Sequence, residues 1–364
     1  MRYIFLNILS LFYGLVVSIR NKMFDLKILP SREFDLPVIS VGNITAGGTG
    51  KTPHTEYIIN LLRSVIKVAV LSRGYKRKTR GFFIVNPDST VRQVGDEPLQ
   101  IKQKFSDIMV AVDSNRVRGI EKLLTLPVKP EAIVLDDGYQ HRYVTPGMNI
   151  LLTDYNRLIT KDSLLPYGRL RETASNRDRA NIIVVTKCPD KIQPIEERII
   201  TKELFIRPYQ NLYFTRLEYG APQPVFPEDV ISPENNLGNG ASVLLLTGIA
   251  YPEPLKEYLM HQSHNILEIR FPDHHNYTLK ELDDIGAKFN TLPEGRRIIF
   301  TTEKDMVRIR DAANVPDVIR KNMYYIPLTI SFLNGSGKDF DRKILNYVRD
   351  NKSSFGFHSG FSKI

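Results

Sequence analysis

The sequence predicts an α/β fold: a mainly parallel sheet flanked by helices, followed by a second, smaller α/β domain. Short apolar runs of strand length alternate with helical segments, as in sheets that are covered on both faces. The first run leads directly into a Gly-rich loop and a helical stretch. A stretch rich in Pro, Gly and Asn at 218–241 then precedes a second alternating series, which indicates a connection between two domains.

The predicted elements follow this division. Strands of the first domain are expected at 38–41, 68–71, 108–112, 132–135, 150–153 and 182–186, with helices at 53–63 and 115–124 and a hairpin at 81–94. In the second domain, strands are expected at 243–247, 266–271, 298–302 and 324–328, with helices at 254–261 and 278–289. We therefore divide the chain into an N-terminal helix at 1–30, a first domain at 31–217 and a second at 218–364.

Composition limits the possible functions. The chain has 364 residues, 42 % of them hydrophobic and 25 % charged, which is typical of a folded protein with about two domains. Its 50 Lys and Arg against 40 Asp and Glu give a formal net charge of +10 and favour an anionic partner. Cys188 is the only cysteine, which excludes an intrachain disulfide and a cysteine-rich zinc site.

Residues 3–19 carry no charge and predict an apolar helix about 26 Å long, slightly shorter than a hydrocarbon core of about 30 Å. Small or polar residues form one stripe of this helix, at Asn7, Ser10, Gly14 and Ser18, and large apolar residues cover the rest. Basic residues that favour anionic lipid on the cytoplasmic side follow at Arg20, Lys22, Lys27 and Arg32. A cleaved signal peptide and a buried core helix are the alternatives; membrane association is the preferred interpretation.

The Gly-rich loop reads T-A-G-G-T-G-K-T and predicts a P-loop that binds a nucleoside triphosphate. Glycines let backbone N–H groups turn around phosphate oxygens, Lys51 would reach the β- and γ-phosphates, and Thr52 would ligate Mg²⁺. The strict pattern wants glycine where this chain has Thr45. The nucleotide-binding residues expected from the loop are Thr45, Ala46, Gly47, Gly48, Thr49, Gly50, Lys51 and Thr52.

An acid should end a neighbouring strand of such a site, and the apolar run at 132–135 is followed by Asp136 and Asp137. A carboxylate there binds Mg²⁺ directly or through water. A plain turn at the strand end is the alternative interpretation of D-D-G.

Five further segments follow predicted strands. Five basic residues lie within 73–80 and form either a solvated loop or an anion contact, and G-D-E-P at 95–98 is either a helix N-cap or a catalytic turn. L-P-Y-G-R-L-R-E at 165–172 suits phosphate or metal binding. In F-P-D-H-H at 271–275 a histidine could orient an active-site carboxylate, and T-T-E-K-D at 301–305 could simply cap a helix.

Taken together, these motifs resemble tetraacyldisaccharide 4′-kinase, the lipid A kinase of Gram-negative bacteria. The resemblance covers nearly the whole chain, and although each motif is common, their joint order and spacing are specific. Besides the segments already quoted it includes V-G-N-I-T-A-G-G-T-G-K-T-P at 41–53, L-S-R-G-Y at 71–75, L-D-D-G-Y-Q-H at 135–141 and T-G-I-A-Y-P at 247–252.

The resemblance implies a P-loop NTPase-type kinase that transfers the γ-phosphate of ATP to the 4′-hydroxyl of a tetraacyldisaccharide 1-phosphate in lipid A biosynthesis. It gives Asp96 the role of a catalytic carboxylate that accepts or steers the hydroxyl proton. His274 would orient this carboxylate, and His275 is the fallback because the doublet is ambiguous.

The resemblance also implies a metal shell and a substrate contact. The Mg²⁺ shell would consist of Asp136, Asp137 and Glu172 beside the P-loop threonine, with the direct ligand left open. A basic residue after the strand at 108–112 would contact the substrate, and both Arg116 and Arg118 qualify.

The expected partners are the lipid disaccharide 1-phosphate and the anionic surface of the bacterial inner membrane, at its cytoplasmic face, bound peripherally or through the single helix. We expect a monomer, because Ala46 stands where subunit-pairing P-loops have a lysine. No nucleic-acid partner is expected, since no basic face with interleaved aromatics is evident. The alternative from a different class is a membrane-associated P-loop ATPase that acts as a regulatory switch.

Overall fold

The computed structural model describes residues 2–229, 241–263 and 265–359, which form two sheets surrounded by helices. The strands are β1 Val38–Gly42, β2 Val68–Ser72, β3 Phe83–Ile84, β4 Met109–Val112, β5 Ala132–Asp136, β6 Met148–Asp154, β7 Ile182–Thr186, β8 Asn211–Tyr219, β9 Gln223–Pro224, β10 Ser242–Thr247, β11 Asn265–Arg270, β12 Arg297–Thr302, β13 Met323–Ile326 and β14 Leu328–Phe332. The α-helices are α1 Arg2–Asp25, α2 Lys51–Arg63, α3 Val91–Val94, α4 Asp96–Lys104, α5 Arg116–Leu124, α6 Pro194–Glu203, α7 Glu253–Met260, α8 Leu279–Asn290, α9 Glu303–Arg310, α10 Asp317–Asn322 and α11 Gly337–Ser359.

The first sheet has nine strands in the order β14-β8-β7-β6-β1-β5-β2-β4-β3. Its central strands are parallel, and β3 and β14 pair antiparallel at the two edges. Every residue of β1, β2, β5 and β7 is buried, because helices cover both faces of the sheet. The parallel arrangement brings the carboxyl ends of β1, β5 and β2 to one edge of the sheet.

The hairpin predicted at 81–94 is wrong. Only Phe83–Ile84 is extended, and it pairs antiparallel with β4. The chain then forms the short helix α3 because Thr90 and Gln93 make a reciprocal capping box: the Thr90 side chain accepts from the Gln93 N–H, and the Gln93 side chain accepts from the Thr90 N–H. This local bonding starts a helical turn where a return strand was expected.

The second sheet has the order β11-β10-β12-β13-β9, and all of its pairs are parallel except β13 with β9. Its four longer strands match the predicted ones closely. The predicted connection at 218–241 contains the end of β8 and the short β9; its residues 230–240 lie outside the described part of the chain.

The chain returns to the first sheet before its end, which differs from the predicted unit 218–364. Pro327 has no N–H to donate to a ladder and separates β13 from β14, which pairs with β8. Helix α11 then packs on the first sheet, where Phe340 and Ile344 join the core and the Tyr347 hydroxyl lies 3.2 Å from the Val38 backbone N. The sheet topology therefore places 328–359 with the first domain.

Helix α1 lies on the surface and is longer than the predicted 3–19. Its Ser10 Oγ donates to Leu164 O at 2.7 Å, and a Cβ on Gly14 would lie 2.6 Å from Leu164 Cδ1, so small residues allow close packing here. Asn7 and Ser18 of the predicted stripe are exposed. The outer face shows exposed apolar side chains at Ile4, Phe5, Ile8, Leu9, Leu11, Phe12, Leu15, Val16 and Ile19. Of the described helices, this one is long and apolar enough to cross a membrane by length and composition, with a mean hydropathy of 1.5.

Candidate active site

The Gly-rich loop connects β1 to the N-terminus of α2. Gly47 and Gly50 have φ of 111° and 82°, a region that glycine enters without steric cost. A Cβ on Gly48 would meet no atom within 4 Å, so this side of the loop is open. Helix α2 begins at Lys51, and its N-terminus adds a partial positive charge beside the loop. This is the geometry that binds phosphate groups.

Neighbouring segments brace the loop from both sides. Ala46 N donates to Arg169 O at 2.7 Å, and Arg171 N donates to Ile44 O at 2.7 Å, so the L-P-Y-G-R-L-R-E segment pairs with the loop through its backbone. On the other side the Thr186 hydroxyl donates to Thr49 O at 2.9 Å. The loop conformation therefore depends on segments far away in the sequence.

The two acids after β5 differ in environment. Asp136 is buried and accepts hydrogen bonds from the hydroxyls of Ser72 at 3.1 Å and Thr55 at 3.3 Å. Burial, together with the charges of Glu97 and Asp137, raises the pKa of Asp136 to about 6. Glu97 belongs to the G-D-E-P turn, so this turn and the acid pair influence each other electrostatically.

Asp137 lies beside the P-loop lysine. Its Oδ1 is 3.6 Å from Lys51 Nζ, and its Oδ2 is 3.7 Å from Arg171 Nη1. Burial alone would raise the pKa of Asp137, but these cations outweigh it and lower the pKa. Asp137 Oδ1 is also buried and accepts no hydrogen bond, which leaves an ionised oxygen available to a cation.

Glu172 is not brought to the other two acids, contrary to the expected metal shell. It is buried, and its Oε2 pairs with Arg179, seven residues further on. Helix α1 packs close by, since the Tyr13 hydroxyl donates to Arg171 O at 2.9 Å. Across residues 2–229, 241–263 and 265–359, no group of three or more His, Cys, Asp or Glu side chains forms a metal site. Arg179 offsets the charge of Glu172 at Oε2, while Oε1 is buried and accepts no hydrogen bond.

The structure brings Asp96 and His274 together, although 178 positions separate them in the chain. Asp96 is the first residue of α4, and His274 lies in the loop after β11; its Nδ1 is 2.7 Å from Asp96 Oδ2. Burial would raise the pKa of Asp96, but the hydrogen bond from His274 and the charge of Arg308 hold this pKa well below its usual range. Asp96 is therefore a carboxylate at neutral pH.

The second histidine of the doublet points elsewhere. His275 Nε2 is 3.0 Å from Glu281 Oε2, and its ring stacks on Phe271 with the centroids 4.5 Å apart. His274 has φ of 62°, which turns the chain so that the two rings face opposite sides. The structure thus places His274, and not His275, beside the carboxylate.

Two cations that were not assigned to the site from the sequence hold the G-D-E-P turn. Arg308 of α9 donates from Nε to Asp96 Oδ2 at 3.2 Å, and Lys304 Nζ lies 2.6 Å from Glu97 Oε1. The expected cap is present as well, because Thr302 Oγ1 accepts from Asp305 N at 3.1 Å. Lys304 and Arg308 are four residues apart and therefore lie on one face of the helix; this spacing is the feature of the sequence that could have indicated a shared role.

The two candidate substrate-contact arginines also differ. Arg118 is bonded to Asp113, with its Nη2 2.7 Å from Oδ1. Arg116 is buried and donates to the backbone carbonyl of Asp136 at 3.2 Å, and burial lowers its pKa to about 10. The structure brings Arg116 to the acid pair and directs Arg118 away from it.

A glycine loop at a helix N-terminus, an acid pair on the adjacent parallel strand and a carboxylate–imidazole pair at the same edge define a P-loop phosphotransferase. The model of the family described as tetraacyldisaccharide-1-P 4′-kinase matches residues 2–349. The chain therefore belongs to this family. As a member it is an enzyme, a kinase that phosphorylates the 4′-position of a tetraacyldisaccharide 1-phosphate.

Individual relatives agree. A tetraacyldisaccharide 4′-kinase of Phocaeicola vulgatus is 48 % identical over 350 residues, covering 96 % of each chain. One of Flavobacterium johnsoniae is 45 % identical over 342 residues, covering 94 % of this chain and 96 % of that protein. A crystal structure of LpxK from Aquifex aeolicus in complex with ATP has a TM-score of 0.73 at 26 % identity, covering 96 % of this chain and all of that one. The predicted family, fold class and enzyme class are confirmed, and the regulatory switch is not favoured.

Proposed function

We propose that phosphoryl transfer from ATP to the 4′-hydroxyl of the lipid A precursor takes place between the P-loop and the Asp96–His274 pair. The observation that carries this proposal is the 2.7 Å contact between a carboxylate of the first domain and a histidine of the second. A protein built only to bind nucleotide would not need it.

The donor half of the site is the loop at 45–52. Its open backbone, the helix N-terminus and Lys51 suit the triphosphate of ATP, the ligand named for the related LpxK. Lys51 now lies 3.6 Å from Asp137 Oδ1 and would move from this carboxylate to the phosphates. Phosphate charge replaces the carboxylate as its partner.

Mg²⁺ fits beside this loop. Thr52, Asp136 and Asp137 offer only oxygen donors, which Mg²⁺ prefers, and Asp137 Oδ1 lacks a hydrogen-bond donor. When bound, the ion would offset the negative charge of the triphosphate. Glu172 would join this shell only through Oε1, because Arg179 holds Oε2.

The acceptor half is the Asp96–His274 pair. The Asp96 carboxylate accepts the Nδ1–H of His274, so the imidazole holds this carboxylate in a fixed orientation. The pair can therefore steer and take up the proton of an alcohol. Phosphoryl transfer needs little covalent help beyond this, because positioning and charge neutralisation provide most of the rate.

The outer face of α1 supports a place at the membrane. Nine large apolar side chains are exposed on it, and burying this apolar surface in lipid would favour membrane association. An acceptor with acyl chains resides in the membrane, and ATP is available on its cytoplasmic side. We therefore infer a monomer at the cytoplasmic face of the inner membrane, held peripherally or by this single helix.

A kinase assay tests the proposal. Radiolabelled ATP and tetraacyldisaccharide 1-phosphate should yield a lipid labelled at the 4′-position, and His274→Ala should lower kcat by about 10²–10⁴-fold. The matched control is His275→Ala, which should retain most of the activity because this ring packs on Phe271. Equal losses in the two variants, or label at another position, would contradict the assignment.

A further inference from the structure

Helix α9 carries a buried cation that helix capping does not explain. Arg308 is 4 % exposed and lies six residues after Thr302, which caps the helix. A buried guanidinium is stable only when acceptors surround it. The acceptors that contact the Arg308 guanidinium therefore indicate its role.

Each nitrogen of this guanidinium has an acceptor. Nη1 donates to Asp305 Oδ1 at 3.0 Å and to the backbone carbonyl of Gly248 at 3.1 Å, both in the second domain. Nε donates to Asp96 Oδ2 at 3.2 Å, and Nη2 donates to the same oxygen. Arg308 is thus fixed by its own domain and reaches across to the carboxylate of the other.

The two oxygens of Asp96 are left with different roles. Oδ2 receives the Arg308 guanidinium and His274 Nδ1, while Oδ1 receives the Glu97 N–H at 3.0 Å. A carboxylate oxygen has two lone pairs in the carboxyl plane. Oδ1 therefore keeps one acceptor position, and the donors on Oδ2 fix the plane in which it lies.

We propose that Arg308 is a positioning residue for the phosphoryl transfer. Anchored by Asp305 and Gly248, it holds Asp96 so that Oδ2 receives His274 and Oδ1 is left for the acceptor hydroxyl. This inference rests on the proposed roles of Asp96 and His274. The aligned pair then exists only while the second domain is docked on the first.

Charge gives a second consequence of this arrangement. The titratable and charged groups that face Asp96 are Glu97, His274, Lys304, Asp305 and Arg308. The hydrogen bond from His274 and the charges of Arg308 and Lys304 hold the pKa of Asp96 well below its usual range, against the effect of burial. Removing Arg308 should raise this pKa, so the acid limb of the kcat–pH profile should move to higher pH. Loss of packing alone would not move that limb.

The test compares Arg308→Gln and Arg308→Lys with Arg310→Gln, an exposed position on the same helix. Arg308→Gln should lower kcat by about 100-fold, leave KM for ATP within about twofold and shift the acid limb upward. Lysine keeps the charge but cannot reproduce the planar fork, so Arg308→Lys should restore the acid limb but only part of kcat. Arg310→Gln should match the wild type. Added ethylguanidinium should raise the kcat of Arg308→Ala.

Thermal melts establish that each assayed variant is folded. Wild-type kcat and pH profile in folded Arg308→Gln would overturn the positioning role, as would a loss of activity that simply follows the unfolded fraction. If Arg308→Gln does not fold, Arg308→Lys and the rescue of Arg308→Ala decide the question in the same way. Wild-type rates in Asp96→Asn and His274→Ala would instead overturn the proposed function. If Asp96→Asn lost its activity while Arg308→Gln kept the wild-type kcat, only the positioning role would be overturned.

Discussion

Exchange of Asp96 for asparagine is the sharpest single perturbation of this site. The side chain keeps its shape but loses its charge, and an amide NH₂ replaces one oxygen. Asp96 is 4 % exposed, and its oxygens accept from His274, Arg308 and the Glu97 N–H. In either orientation the amide NH₂ must face one of these donors, so one hydrogen bond is lost and two donors oppose each other.

The structure sets the size of the effect on stability. Removing one partner of a buried ion pair costs about 3–5 kcal/mol when the remaining charge is left alone. Here Arg308 keeps Asp305 at 3.0 Å, and asparagine still offers one acceptor oxygen. We therefore expect a loss of about 2 kcal/mol, which lies within the range for an unsatisfied buried group.

The effect on turnover should be larger than the effect on stability. Loss of a positioned proton acceptor lowers kcat by about 10²–10⁴-fold. ATP affinity should stay unchanged, because the P-loop lies in a different part of the site. The assay is transfer of labelled phosphate to the lipid well below the melting temperature, with ATP binding measured by calorimetry and stability by urea unfolding.

Two results would refute this reasoning. A folded Asp96→Asn protein with wild-type kcat would show that this carboxylate takes no part in the reaction. A parallel loss of ATP affinity would show that it serves the nucleotide and not the acceptor.

Three further predictions concern other parts of the molecule. Burial and the charge of Glu303 raise the pKa of Glu56 from its usual 4.5 to about 7. Between these values the folded state holds a proton that the unfolded chain has lost, so the stability of the protein should fall as the pH rises. In thermal melts of Glu56→Gln, the melting temperature should fall less steeply with pH. A Cβ on Gly168 would lie 2.1 Å from Ser163 O, so Gly168→Ala should displace the segment that braces the P-loop and weaken ATP binding in calorimetry. Leu11 is 74 % exposed, so Leu11→Glu should leave the melting temperature unchanged while weakening flotation with anionic vesicles by at least about tenfold.

Two of these, Gly168→Ala and Leu11→Glu, have a control on the chain. Gly337→Ala, whose Cβ would meet its nearest atom at 3.5 Å, should leave ATP binding intact. Val65→Glu, at another exposed apolar position in the turn that follows α2, should leave flotation intact. An unchanged pH dependence in Glu56→Gln, tight ATP binding in Gly168→Ala or unchanged flotation of Leu11→Glu would each contradict the corresponding argument.

Much of the fold could be predicted from local sequence because buried parallel strands are continuous apolar runs. The strands at 68–72, 132–136 and 182–186 are of this kind and were found within one residue of their ends. The Gly-rich loop was equally visible, since its conformation needs glycine at particular positions. The helix turn at 91–94 was missed because a reciprocal bond between two side chains decided it.

By itself, the sequence determined the two α/β units, the P-loop and the family, because these depend on residues close together in the chain or on the order of motifs. Only the tertiary structure decided that 328–359 returns to the first sheet, that Glu172 pairs with Arg179, and that His274 rather than its neighbour meets Asp96. Arg308 is the clearest case. In the sequence of its own helix it is an arginine like any other, and it becomes part of the site only when the second domain docks on the first. The physical reason is that a buried charge is defined by its partners, and the partner that makes Arg308 part of the site, Asp96, lies 212 residues away.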